Sequence, residues 1–489
     1  RRSSDLTGVR SLNFPPYTNS DKVTGALFLD GCYFSALGRP VAFTWYPDKI
    51  VREAVFGSLE LRSTAILPFG ATALIVRLEI RNTGAADRDL CVKFGTSAAI
   101  TKNMDTGKAY LPPLEEDNRI SVESSRQVVL FEARHSEACS VQGMWPAPDR
   151  ATGFGLEKSI RIPAGGSSTL FYLNIIGGEM NEALRQYDRL ANAGLASTFV
   201  DHEAAWDRQI AAAFTPGNSE YSGCLPVLHT TDAAVRRLYY TAALGVIYFR
   251  RDNPFSVYSR AYDTLMPRYW QGTTFIWDYF LSSEFHALLD PEVQRKYIEL
   301  WMGTDVHTHF GTEYLTGDTV GPWYAVNDFA LSWLANDYLR WNGDFAWLDR
   351  TLPASGKRIF DYLQEYATNY RQFRTPAGLA DYGGINNLLE CVSTYIHEVA
   401  SLNAGNIFSL RTLAELWAHR GALQEAASCR AEADALLSEL MKLYTGGGFW
   451  NARFPGGELV EVRHGYDFMT LLTTIADDLS TRQKEEMVR

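Results

Sequence analysis

No stretch of the 489-residue chain reaches the roughly 18 consecutive apolar residues that a membrane-spanning helix requires. Cysteine is sparse and scattered. Cys32, Cys91, Cys139, Cys224, Cys391 and Cys429 form no Cys-x-x-Cys pair, so neither a disulfide framework nor a zinc site is expected. Isolated thiols of this kind read as buried and reduced, which tilts the expected location towards a reducing, cytoplasmic compartment. Positive charge is outnumbered: 46 Lys and Arg face 57 Asp and Glu, for a formal net charge of −11. With no basic run to offset that balance, a nucleic-acid partner is not expected. There is no Gly-x-Ser-x-Gly element, which removes the commonest serine hydrolase arrangement. The run Gly446-Gly-Gly lacks a following Lys-Ser or Lys-Thr and is no phosphate loop. The chain opens Arg1-Arg2-Ser3-Ser4-Asp5, without Met or an apolar signal core, so the native N-terminus is expected to be missing or processed.

What is abundant is aromatic: 13% of residues, with 12 Trp and 25 Tyr. Most must be core, yet several stand beside Gly, Asp and Asn in loops, where a flat apolar face with a polar rim suits a pyranose ring. The length fits two domains. Over residues 1–178 the pattern is of strands and turns. Ala73-Leu-Ile-Val-Arg-Leu-Glu-Ile-Arg settles into apolar/polar alternation and stops at Asn82-Thr-Gly. Residues 51–67, 90–98 and 168–176 behave alike, which predicts a large antiparallel β-sandwich.

Residues 179–228 read as a helical linker, and 229–489 as helix, long loop, helix. Leu331, Leu334, Tyr338 and Trp341 fall on one apolar helix face, with Asp328, Asp337 and Arg340 placed outward. Similar helices are predicted near 232–250, 276–289, 291–308, 353–369, 396–419, 421–444 and 466–478. About eight or nine helices as antiparallel hairpins point to an (α/α)6-type toroid, for which roughly twelve are needed. The last stretch, from Thr481 to Arg489, is expected to break off in mid-helix, leaving the toroid incomplete with roughly 100 or more residues beyond it.

Cleaving a glycosidic bond takes two carboxyl groups, an acid for the leaving oxygen and a base or nucleophile across the ring. Carboxylates in Gly- and aromatic-rich loops are better candidates than those on solvated helix faces. Three loops qualify. In Tyr269-Trp-Gln-Gly-Thr-Thr-Phe-Ile-Trp-Asp-Tyr-Phe, Trp277 and Asp278 stand at a helix start, where Asp278 equally serves as a cap. The loop 311–328 carries Glu313, Trp323 and Tyr324, and its plain reading is a rigid connection capped by Asn327 or Asp328. In Gly378-Leu-Ala-Asp-Tyr-Gly-Gly, Asp381 with Tyr382 sits where burial can hold a carboxyl protonated, or where Asp merely makes a turn. His307 and His309 with Glu313 are weak evidence for a metal, and none is expected; His464 reads as a satisfied loop histidine.

The order of these segments over residues 230–480 resembles glycoside hydrolase family 63 and its relatives, the trehalases and bacterial mannosylglycerate/glucosylglycerate hydrolases. Phe275-Ile-Trp-Asp-Tyr-Phe resembles the family's aromatic-Trp-Asp segment at the −1 sugar subsite, and Gly321-Pro-Trp-Tyr-Ala its Pro-containing aromatic run. Gly448-Phe-Trp-Asn-Ala-Arg-Phe-Pro-Gly-Gly-Glu is similar to its Gly-aromatic segment before an apolar helix. The resemblance implies an inverting hydrolase of an α-glycosidic, α-glucosidic in the specific form, bond. Asp381 would be general acid, with Glu390 and Glu398 as rivals, and the general base would lie beyond residue 489. Trp277, Asp278, Glu313, Trp323, Tyr324 and Tyr382 would bind an oligosaccharide or small glycoside, without a cofactor. The other expectations are an α-L-rhamnosidase-like hydrolase, lyase or phosphorylase on the same toroid, or a non-catalytic glycan-binding relative. A lyase wants Arg or Lys opposite a uronate, and these loops are poor in both.

Overall fold

A computed structural model of the chain describes residues 5–104, 115–262, 272–384 and 393–489. The chain divides into two compact units. The first comprises the described residues up to Ala212, with Asn253–Phe255 and Gly272; the second comprises Ala213–Asp252, 256–262 and Thr273–Arg489.

The first unit is built on antiparallel sheets. The largest has eight strands, in the order Asn118–Glu123, Val128–Ala133, Cys139–Trp145, Ser167–Gly177, Ala73–Asn82, Leu59–Ile66, Ile50–Phe56 and Ala42–Trp45. The central strand Ala73–Asn82 shows why the pattern changes along its length. Leu74, Val76, Leu78 and Ile80 enter a core shared with Leu27, Val92, Phe94 and Leu156 of a five-stranded sheet. Ala73 and Ile75 on the opposite face enter a second core, closed by two helices, α1 (Met180–Asn192) and α2 (Leu195–Ala213). Further along, the same face turns to Arg77, whose guanidinium lies over the Phe199 ring of α2, and then to Glu79 and Arg81. The strand thus reads as continuous apolar where both faces are covered and as alternating where one is.

The linker expected over 179–228 therefore begins with two helices that lie against the sheet. Glu179 caps α1 by accepting the amides of Asn181 and Glu182, and Ala183, Tyr187, Leu190 and Ala191 present one stripe to the strands. Gly143 is required beneath this stripe, because a Cβ there would overlap the Tyr187 ring.

The second unit is helical: α3 (Ala233–Tyr248), α4 (Ile276–Phe280), α5 (Ser283–Leu289), α6 (Pro291–Met302), α7 (Asn327–Asn342), α8 (Ile359–Asn369), α9 (Ala400–His419), α10 (Leu423–Leu440), α11 (Gly465–Thr474) and α12 (Thr481–Val488). Contacts run α3 to α5, α5 to α7, α7 to α9 and α9 to α11, with α6, α8 and α10 packed on this series. Burial separates two layers: fourteen of the twenty residues of α9 are buried, but five of the eighteen of α10. Several helices are shorter than their periodicity predicts. Gly303 ends α6, and α8 starts only at Ile359. The final stretch has a regular start, Ser480 and Gln483 exchanging the reciprocal hydrogen bonds of a capping box at α12.

One expectation about α7 is overturned. Asp328 and Asp337 are buried, at 7% and 6% exposure, and Trp341 is 45% exposed. The helix contacts α4, α5, α6, α8 and α9, so it is walled on nearly every side and a single apolar face does not describe it. Burial pushes the Asp337 carboxyl up to about 6. Among the described residues no helix is long and apolar enough to cross a membrane.

Candidate active site

Four segments of the second unit precede the inner helices α4, α7, α9 and α11, and each touches the next. Thr273–Phe275, leading into α4, pairs with Gly311–Glu313 of the segment before α7, which pairs in turn with Thr319–Val320. Phe275 stacks on Phe310, their centroids 5.0 Å apart, and Phe310 meets Tyr324 at 5.1 Å. Gly321, at φ +76°, is needed here because a Cβ would overlap Phe310. Trp323 stacks on Phe373 of the segment before α9 (5.4 Å, 23°). That segment meets the one before α11 through His397 and Phe454 (5.1 Å) and through a backbone bridge between Glu398 and Arg453. Trp277 in α4 closes the circuit edge-on to Tyr466 in α11, at 4.8 Å. The helix starts thus sit under a ring of interlocked loops rich in aromatic rings.

Asp381 lies in this ring with its side chain 20% exposed. Its Oδ1 accepts the Gly383 amide at 2.7 Å, and His397 Nδ1 stands 3.1 and 3.3 Å from the two carboxylate oxygens. Oδ2 is the oxygen that the amide leaves open. Tyr382 beside it is buried and donates its hydroxyl to Asn406 at 2.8 Å; burial raises its phenol above the usual range. Among the described residues, the indole N–H of Trp323 and the side-chain amide N–H groups of Asn406 have no acceptor.

The rivals of Asp381 fare differently. Glu398 is 4% exposed, receives the Thr375 hydroxyl at 2.6 Å and pairs with Arg453 at 2.8 Å, so it is committed to joining two loops. Glu390 lies outside the described residues. Glu313, expected to touch substrate, is fully buried, and its carboxylate accepts the amides of Leu315 and Thr316 within its own turn. A loop that tight consumes the carboxylate before any ligand can reach it. Asp278 is the third residue of α4 and half-buried. The helix is capped by Phe275 without a side-chain bond, so Asp278 is not its N-cap but stands at its positive end. Trp277 is 8% exposed, whereas Trp323 and Tyr324 are half-buried. Neither Asn327 nor Asp328 caps α7. Asn327 pins the preceding loop by donating to the carbonyls of Val306 and His309, both at 2.7 Å.

Two clusters bring together residues that the sequence left separate. His307 Nε2 meets Asp328 at 2.8 Å, and Asn369 donates to the other carboxylate oxygen at 2.7 Å, tying the loop to α7 and α8. Burial acts to lower the His307 pKa, but the hydrogen bond and charge of Asp328 outweigh it and leave it raised; burial raises that of Asp328. The second cluster is Asp467, in the first turn of α11. It is wholly buried, accepts the Tyr395 hydroxyl at 2.8 Å and the Ser401 amide at 3.1 Å, and burial pushes its carboxyl up to about 7. Tyr395 stacks on His464 (4.1 Å), whose Nδ1 accepts the Tyr466 amide and caps α11. A signal for Asp467 was present: Tyr466-Asp467 repeats the aromatic-Asp step of Trp277-Asp278 at the first turn of an inner helix.

A cleft of about 830 Å³ elsewhere in the unit is bordered by Tyr221, Asp252, Arg260, Asp290 and Lys296. Within it Arg260 pairs with both Asp252 and Asp290, Lys296 donates to the Tyr258 carbonyl, and none of the loop residues above lines it. Among the described residues, no group of three or more His, Cys, Asp or Glu side chains is placed to hold a metal ion.

No protein-family model and no curated protein matches this sequence. Solved structures do match. The chain is similar to a bacterial glucoamylase complexed with acarbose (TM-score 0.59, 9% identity), over 94% of this chain and 67% of that one. It also aligns with a rhamnosidase from Klebsiella oxytoca with rhamnose bound (TM-score 0.44, 13% identity, 87% and 70% of the two chains). A family GH92 inverting mannosidase from Bacteroides thetaiotaomicron aligns with TM-score 0.44 and 11% identity, over 94% and 61%. At these identities the likeness to the glucoamylase is one of fold, a β-sheet region followed by a helical unit. It does not single out family 63.

Proposed function

We propose that the helical unit hydrolyses an O-glycosidic bond, α-linked and glucosidic in its specific form, removing a terminal sugar with inversion. The observation that carries this reading is the Asp381–His397 pair within a ring of aromatic loops. Glu313, Asp328, Glu398 and Asp467 are buried and bonded within the protein, whereas Asp381 and Asp278 keep part of their surface open. In this reading Asp381 gives the proton on Oδ2 to the leaving oxygen as the bond to the anomeric carbon breaks. A second carboxylate, at roughly 6.5–9.5 Å across the sugar, takes a proton from the attacking water. Trp277, Trp323 and Tyr324 wall the ring by apolar contact, Tyr382 backs them, and Asp278 accepts from sugar hydroxyls. Glu313 is left out of this set because it is fully buried and its Oε2 accepts two amides of its own turn.

The test is Asp381→Asn in the full-length protein, assayed on nitrophenyl α- and β-glycosides. Turnover should fall by about 10²- to 10⁴-fold, the usual contribution of a positioned acid, while the melting temperature stays put. Near-normal turnover removes Asp381 from the role. Proton NMR of the first-formed sugar should show the anomer opposite to that of the substrate.

A further inference from the structure

We infer that His397 is a positioning residue that holds and renews the proton of Asp381; this rests on the reading of the site given above. His397 is one of few non-glycine residues with positive φ, at +68°. Such a conformation is costly for a residue with a Cβ and persists where the surroundings enforce it. Here they enforce it from both sides. The His397 amide donates to the Gly383 carbonyl at 2.8 Å, and the Tyr382 amide to the His397 carbonyl at 3.3 Å. The next residue, Glu398, is bridged to Arg453 by two backbone hydrogen bonds and the buried ion pair. Phe454 braces the ring. The result of this clamping is an imidazole with Nδ1 facing both oxygens of Asp381, on a side chain still 23% exposed.

That geometry suits a proton relay. After Asp381 has protonated the leaving oxygen it is a carboxylate. The imidazole, protonated on Nδ1, takes a second proton from solvent at Nε2 and passes the Nδ1 proton to Asp381. Solvent then removes the Nε2 proton and returns one to Nδ1, so that one solvent proton per turnover replaces the one given to the leaving oxygen. Among the described residues, the charged neighbours on these loops are Glu398 and Arg453, neutralised by each other, and Arg374, whose Nε donates to the Gly378 carbonyl. None competes for the Asp381 oxygens.

The positive φ supplies an unusually clean test. His397→Gly deletes the imidazole while relieving the positive-φ backbone, which offsets part of the lost ring contacts and the added chain entropy. Expected is a fall in kcat of about 10²- to 10³-fold with KM changed less than about twofold, and partial recovery on adding free imidazole. His397→Asn, which tolerates positive φ and can donate to Asp381 but cannot carry a proton, should lose kcat without imidazole recovery. Parental kcat in His397→Gly overturns the relay, as does a loss that tracks a lowered melting temperature and ignores imidazole. Asp381→Asn run in parallel separates the two claims. If it is inactive while His397→Gly is normal, only the relay falls; if it is active, the reading of the site falls and takes the relay with it.

Discussion

Replacing Asp467 by Asn should flatten the pH dependence of stability. Burial holds this carboxyl at about 7 in the folded protein, against roughly 3.9 in an unfolded chain. A folded-state pKa above the unfolded one means that the native state binds the proton more tightly. The resulting stabilisation is full below about pH 4 and is lost as pH rises through 7. Between pH 5 and pH 8 the parent therefore loses about 3 kcal/mol from this one group, two pKa units at 1.36 kcal/mol each. Asn is neutral throughout and keeps an oxygen for the Tyr395 hydroxyl and the Ser401 amide, but it puts an NH2 group where the carboxyl has its second oxygen. That adds a constant cost of about 1–3 kcal/mol. At pH 5 the variant should be the less stable protein, and at pH 8 the two should converge or cross. Urea unfolding of both proteins at intervals from pH 5 to pH 8 reads the difference directly. Parallel curves would refute the argument, because they would mean that Asp467 changes its protonation no differently on folding.

Other outcomes follow from the same contacts. Glu398→Gln should cost about 3–5 kcal/mol by leaving Arg453 buried without its counter-charge, while Glu398→Gln with Arg453→Met should recover much of that loss; equilibrium unfolding of the singles and the double completes the cycle. Trp323→Ala should raise KM for a glycoside about tenfold, near 1.4 kcal/mol, with kcat less affected, and Trp323→Phe should restore part of it. An unchanged KM in steady-state kinetics would mean that the indole does not face the sugar.

A β-sheet region followed by a helical unit was legible from period alone, because strands with one covered face and amphipathic helices write their burial into local alternation. Period failed where neighbours come from all sides. Asp328 and Asp337 on α7 looked outward, since nothing local announces that five other helices surround them. The loops that carry the site were visible as clusters of Gly, Trp, Tyr and Asp. Which of their residues would meet was not, because the pairs Asp381–His397, Trp323–Phe373 and Trp277–Tyr466 are set by how the helices bring the loops together. Glu313 shows the limit from the other side: an acid in an aromatic, glycine-rich loop has the right company, yet its own turn uses both the position and the charge.

The central strand Ala73–Asn82 carries one further consequence. Residues 73–76 are apolar on both faces, so a slip of one position there would exchange one greasy surface for another and go unpunished. The next half of the strand cannot slip, because Arg77, Glu79 and Arg81 would be driven into the core that Leu78 and Ile80 now fill. Alignment of the eight-stranded sheet is thus enforced by three charges on its middle strand. Exchanging all three for apolar residues would leave the composition of the core almost untouched while erasing the information that says which way round the strand belongs.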